Sequence, residues 1–175
     1  ACVGGVIPNL TATGTSLIWY DDVALTNQVG TGASFATTQT AAGVYTYYVT
    51  QDDGNCESNA TTVTLTIYAL PPSPVAVDEV ACEGGIIPDL TATGTSLVWY
   101  SDAALTNQVG TGTSFATGQT TAGVYPYYVT QNDGNCESNP TTVTLEIFPF
   151  PAARTLTNQP HEACEGAVIP DLTAT

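Results

Sequence analysis

ACVGGVIPNLTATGTSLIWY at residues 1–20 returns as ACEGGIIPDLTATGTSLVWY at residues 81–100. The 80-residue register holds through Tyr68 and Phe148, with 54 of 68 positions identical. A third copy, ACEGAVIPDLTAT at 163–175, matches residues 81–93 at 11 of 13 positions. Self-similarity at a fixed period marks a tandem array. The stretches between copies, ALPPSPVAVDEV (69–80) and PFPAARTLTNQPHE (149–162), diverge and are proline-rich, as semi-stiff connectors are. The expected organisation is a first repeat at 1–70, a linker at 71–80, a second repeat at 81–150, a linker at 151–162 and the start of a third repeat at 163–175.

Each repeat reads as all-β. TTVTLTIY (61–68) alternates, with Val63, Leu65 and Ile67 on one face and threonines on the other, the pattern of a half-buried antiparallel strand. SLIWYDD (16–22) and GVYTYYVTQ (43–51) are further strands, and LTAT before Gly14 and TGASFAT around Phe35 are shorter ones. No segment keeps a helical period, and DDVALTNQ (21–28) offers one helical turn at most. A two-faced sheet must cover its apolar side, so two sheets pack together. Six or seven strands in ~70–80 residues fit an immunoglobulin-like sandwich. Trp19 and Trp99 are its expected core aromatics, and Tyr45 and Tyr125 sit where a tyrosine corner would form. Tyr48 and Tyr128 point opposite to their tyrosine neighbours, so one of the two faces offers tyrosine for contacts.

Composition narrows the function. Sixteen acidic residues face one base, Arg154, giving a formal charge of −15. That charge repels phosphate backbones and anionic bilayers, so neither nucleic acid nor a membrane surface is an expected partner. No apolar run reaches the ~20 residues of a membrane span. With no initiator Met and no signal-peptide pattern, any targeting segment is expected to have been removed or to lie outside this chain. Thirteen residues at 163–175 cannot form a sandwich. A window through a longer array, a strand donated to a neighbour and a trimmed end all fit them, and their redundancy with 1–13 favours the window.

The five cysteines are Cys2, Cys56, Cys82, Cys136 and Cys164. Cys2 to Cys56 and Cys82 to Cys136 are both 54 positions. Repeated pairs in a small lysine-free β domain read as structural disulfides and an oxidising compartment. A bridge within each repeat, Cys2–Cys56 and Cys82–Cys136, is the expected scheme, with Cys164 unpaired or intermolecular. A ladder between repeats, Cys56–Cys82 and Cys136–Cys164, remains open. Metal ligation is not expected, since no Cys has a Cys or His at ligand spacing and the one histidine, His161, lies in a linker.

The string CxGG, LTATG, WY, TGxSF, YYVTQ, GNCES, TVTL resembles a family of bacterial Ig-like repeats found in tandem in large secreted and cell-surface proteins. Both full copies carry it, through Cys2, Gly4, Leu10, Gly14, Trp19, Tyr20, Phe35, Tyr47, Tyr48, Cys56, Glu57, Ser58 and their partners 80 residues on. The resemblance implies spacers, adhesive modules or structural elements, and carries no catalytic residues.

Chemistry built into a repeat should appear in both copies. Asp21-Asp22 becomes Ser101-Asp102, so paired-carboxylate catalysis is not supported. No histidine or lysine base lies within a repeat to activate a hydroxyl. An enzyme is therefore not expected, nor a cofactor. The turns QDDGNCE (51–57) and QNDGNCE (131–137) hold Asp53, Asn55, Glu57 and Asp133, Asn135, Glu137, candidate calcium ligands that lack the EF-hand spacing; a hairpin turn is the preferred reading. Asn9 and Asn59 are formal glycosylation sites that the second copy lacks. The expected function is a non-enzymatic extracellular structural protein that self-associates head to tail into a fibril or surface stalk. The alternative is an adhesive or glycan-binding module of a larger surface protein.

Overall fold

The computed structural model describes residues 1–153, and among them the chain is all-β. The first repeat contains β1 (Leu10–Thr11), β2 (Leu17–Tyr20), β3 (Gln28–Thr31), β4 (Ser34–Phe35), β5 (Gly43–Gln51) and β6 (Thr61–Ile67). The second contains β7 (Val75–Ala76), β8 (Glu79–Cys82), β9 (Leu90–Thr93), β10 (Leu97–Tyr100), β11 (Gln108–Thr111), β12 (Ser114–Phe115), β13 (Gly123–Gln131) and β14 (Thr141–Phe148). Each repeat is a sandwich. In the first, a sheet of order β3-β2-β5-β6 faces the pair β1-β4. In the second, β11-β10-β13-β14-β8 faces β12-β9-β7.

The core follows from the alternation. Leu65 and Ile67 of β6 are buried, as are Tyr47 and Val49 of β5, while their neighbours Thr64 and Thr46 face solvent. Trp19 is fully buried and its indole N–H donates to the Gly32 carbonyl at 2.8 Å. Phe35 stacks on it with centroids 5.6 Å apart and meets Tyr47 edge-on at 5.4 Å. Gly30 makes that stack possible, because a Cβ there would sit 2.6 Å from the Phe35 ring. Trp99, Phe115, Tyr127 and Gly110 repeat the arrangement. Tyr45 donates its hydroxyl to the Ala41 carbonyl at 3.0 Å and Tyr125 to that of Thr121 at 3.0 Å, the bond of a tyrosine corner.

Two features depart from the expectations. QVGT at 28–31 is a strand, where only a turn precedes it at 21–27; Asp22 ties that turn by accepting the amides of Thr26 and Asn27. The stretch 71–80, expected as a linker, is part of the second sandwich. Val75–Ala76 adds antiparallel to β9, pairing with Thr93 and Ala92. Glu79–Cys82 runs parallel to β14, ending with Cys82 opposite Phe148. Proline here stops at the strand's edge, where its missing N–H costs no ladder bond.

Candidate functional site

Chain geometry places the cysteines. Cys2 bridges in parallel to Tyr68, at the end of β6. Cys56 sits in the hairpin that leads into β6 at Thr61, beside the Asp52–Glu57 bridge. From Thr61 to Tyr68 a strand covers about 23 Å, whereas bonded cysteines need Cα atoms within ~7 Å. The within-repeat pairs Cys2–Cys56 and Cys82–Cys136 are therefore excluded by the parallel run of the first strand against the last. Each repeat has a start pole, carrying its first cysteine and its chain exit, and a turn pole, carrying the Asp-Gly-Asn-Cys hairpin.

The chain leaves the first repeat at its start pole and enters the second at its turn pole. The two poles are joined covalently: Cys2 is bonded to Cys136, with Cα atoms 5.9 Å apart. This corrects both expected schemes. The ladder Cys56–Cys82 fails because those residues lie at opposite ends of the tandem, both exposed and, among the described residues, unpaired. Cys164, expected unpaired or intermolecular, lies outside the described residues, as does the partial third repeat at 163–175.

The connector completes the joint. Gln131, at the end of β13, accepts the Thr95 amide through Oε1 at 2.9 Å and donates Nε2–H to the Pro72 carbonyl at 2.6 Å. Thr141 donates its hydroxyl to the Pro74 carbonyl, and Pro74 is buried. Asp78 accepts the amide of Thr144 at 2.7 Å. Cys136 is 2% exposed, and Cys2 Sγ lies 3.3 Å from the Asn135 carbonyl oxygen. Gln131 and Thr141 had no part in the sequence expectations, and Pro72 and Pro74 entered them only as linker prolines. Their one legible signal is the Pro-x-Pro spacing followed by the strand-forming Val75.

The turn residues weighed as calcium ligands have other work. Asp133 Oδ1 accepts the amides of Asn135 and Cys136 at 2.9 and 2.8 Å, and Asp53 does the same for Asn55 and Cys56. Those amides hold both aspartates below their ordinary 3.8. Glu57 accepts the hydroxyls of Thr50 and Tyr20, which lower it from 4.5, and Glu137 accepts those of Thr130 and Tyr100. Among the described residues, no three Asp, Glu, His or Cys converge as a metal cage. These carboxylates build the hairpin that presents the turn cysteine.

The sign of the Asp133 effect gives a prediction. A carboxylate lowered by folding stabilises above its ordinary value and loses that contribution as pH falls through its folded one. The chain should melt at a higher temperature than Asp133→Ala at pH 7, and the gap should narrow below pH 3.8. Thermal melts of both proteins across that range check it.

Asn9 is exposed and donates Nδ2–H to Ser34 Oγ at 3.2 Å; Asn59 is exposed on a cleft beside β6. Tyr48 and Tyr128 are half-buried. The exposed aromatics among the described residues are Tyr68, Phe148 and Phe150, all at start poles or just beyond. Among the described residues, no helix is long and apolar enough to cross a membrane.

The family comparison agrees with the sandwich. No curated protein matches the chain. Among solved structures it is similar to human protocadherin-24 EC1-2, at 10% identity and a TM-score of 0.22, over 78% of this chain and 83% of that one. The family model described as Ig-like domain, CHU_C associated, matches twice, over residues 1–68 and 71–149. The second match opens at the connector, as the strand β7 does. The chain belongs to this bacterial Ig-like family, as two members in tandem.

Proposed function

We propose that the chain is a non-enzymatic extracellular structural protein, the repeating unit of a fibril or long surface stalk. The joint between the repeats carries this reading. It brings the start pole of one unit to the turn pole of the next, so its two surfaces differ and the partners they would bind lie at opposite ends of the tandem. A heterologous contact of this kind does not close on itself and propagates as a filament. The disulfide and the inserted connector resist extension and bending at the joint. The Ig-like family and the paired cysteines suit a secreted or surface setting. The repeats keep their cores for packing and leave no histidine or lysine base for turnover.

Negative-stain electron microscopy of the unreduced material tests the proposal. Uniform filaments are expected, thinning or breaking under reductant. Separate short rods under both conditions would contradict it and leave the adhesive module as the reading to pursue.

A further inference from the structure

The two repeats show one sequence in two settings. In the second, β7 lies against β9, the Pro72 and Pro74 carbonyls are held by Gln131 and Thr141, and Cys136 is bonded. In the first, β1 stops at Thr11 where β9 runs on to Thr93. Ala12 gives its N–H to the Ala33 carbonyl at 3.1 Å. By the alternation of a strand, Thr11 and Thr13 therefore turn their backbone groups to the opposite, open side.

Burial follows the same division. Gln131, Ser138 and Val143 are buried, while Gln51 and Ser58 are exposed and Val63 is only half-buried. A cleft of about 670 Å³ runs along this open edge, lined by Thr11, Thr13, Gln51, Ser58, Thr61 and Val63. Cys56 stands exposed at the same pole, on a hairpin tied by the same two amides to Asp53 that tie Cys136 to Asp133. The complementary half is at the far end. Cys82 is exposed opposite Phe148, and Pro149 to Ala153 lead on from there as residues 69–73 follow Tyr68.

We infer that the open edge of the first repeat is a strand acceptor for a second copy of this chain, which adds the segment after its Phe148 along Ala12–Thr13 and bonds its Cys82 to Cys56. The inference rests on the head-to-tail reading above and names the joint it requires. The occupant follows from continuity: the same two surfaces already meet once within the chain, between the first repeat and the second. The donors at the acceptor are side chains that take main-chain carbonyls, so the added strand is read by its backbone and Ala152 can stand in register where Pro72 does. An uncovered edge with unpaired backbone groups is a template for such addition.

The bond forms by thiol–disulfide exchange, with a small disulfide such as oxidised glutathione as the oxidant. The Cys56 thiolate attacks it, forming a mixed disulfide and releasing one glutathione thiolate. The Cys82 thiolate of the second copy attacks the Cys56 sulfur and releases the other. Two cysteine thiols are oxidised and one glutathione disulfide is reduced to two thiols.

The test uses the full chain carrying Cys164→Ser, incubated unreduced with oxidised and reduced glutathione and read on non-reducing gels and by peptide mass spectrometry. A ladder of covalent multimers with Cys56–Cys82 junctions is expected. Cys56→Ser and Cys82→Ser should each stay monomeric alone and form a dimer, and nothing longer, when mixed. Thr13→Pro, and separately Gln51→Ala with Thr61→Ala, should lower the ladder by roughly tenfold, the scale of one or two lost hydrogen bonds. Both should leave the rate of Cys56 labelling by a maleimide unchanged. Junctions of Cys56–Cys56, Cys82–Cys82 and Cys56–Cys82 in random proportion, or edge variants that ladder normally, would overturn the acceptor. Filaments in native material without a Cys56 junction would overturn it and leave the structural reading standing. A specific ladder with no native filaments would do the reverse.

Discussion

Replacing Trp99 with alanine should unfold the second repeat at room temperature or bring it to the edge of unfolding. The indole is fully buried, stacks on Phe115 at 5.5 Å and satisfies its N–H on the Gly112 carbonyl at 2.8 Å. Truncating a buried tryptophan costs about 3–5 kcal/mol in transfer and cavity terms. A domain of this size holds roughly 4–12 kcal/mol in all, at ~0.05–0.15 kcal/mol per residue. Phe115 would lose its stacking partner, and the volume of the indole would become a void. Urea titration followed by Trp19 fluorescence in the variant, and by circular dichroism in both proteins, separates the repeats. The first repeat should keep its own transition while the second loses most of its stability. Trp19→Ala should mirror this in the first repeat.

Cys136→Ser is the second large effect, and it acts between domains. The bond closes 134 residues of chain, which in the chain-entropy model stabilises the whole tandem by about 5 kcal/mol against complete unfolding. The repeats have separate cores, so each should still fold. The loss should appear as decoupling: one shared thermal transition splits into two, and the scattering profile gains the spread of interdomain angles that a connector held by Gln131, Thr141 and Asp78 alone allows. Cys56→Ser, at a cysteine bonded to nothing among the described residues, should change neither.

What the sequence disclosed and what it hid divide along local and non-local physics. Period-two alternation in TTVTLTIY, the burial of Trp19 and Trp99 and the tyrosine corners are local patterns, and the structure carries each where the residues indicated. The Asp-Gly-Asn hairpins are also local: Asp53 and Asp133 accept their own turn amides, which is why Asp is favoured there. Disulfide pairing is a non-local property. Equal spacings of 54 between Cys2 and Cys56 and between Cys82 and Cys136 record only that the repeat repeats. Which sulfurs meet depends on the first strand running parallel to the last, and neither residue of a parallel pair announces it. The connector was hidden for a related reason. Proline signals a spacer, yet Pro72 and Pro74 offer only carbonyls, and that is all Gln131 and Thr141 require of them. β7 is two residues long, too short for alternation to show.

The start cysteine of the first repeat bonds the turn cysteine of the second. Mass spectrometry of the unreduced chain, alkylated before digestion, reads that bond. A linked peptide pair containing Cys2 and Cys136, with Cys56 and Cys82 not linked to those two, is the predicted result. Linked pairs of Cys2 with Cys56 and of Cys82 with Cys136 would contradict the joint, and with it the head-to-tail account built on it.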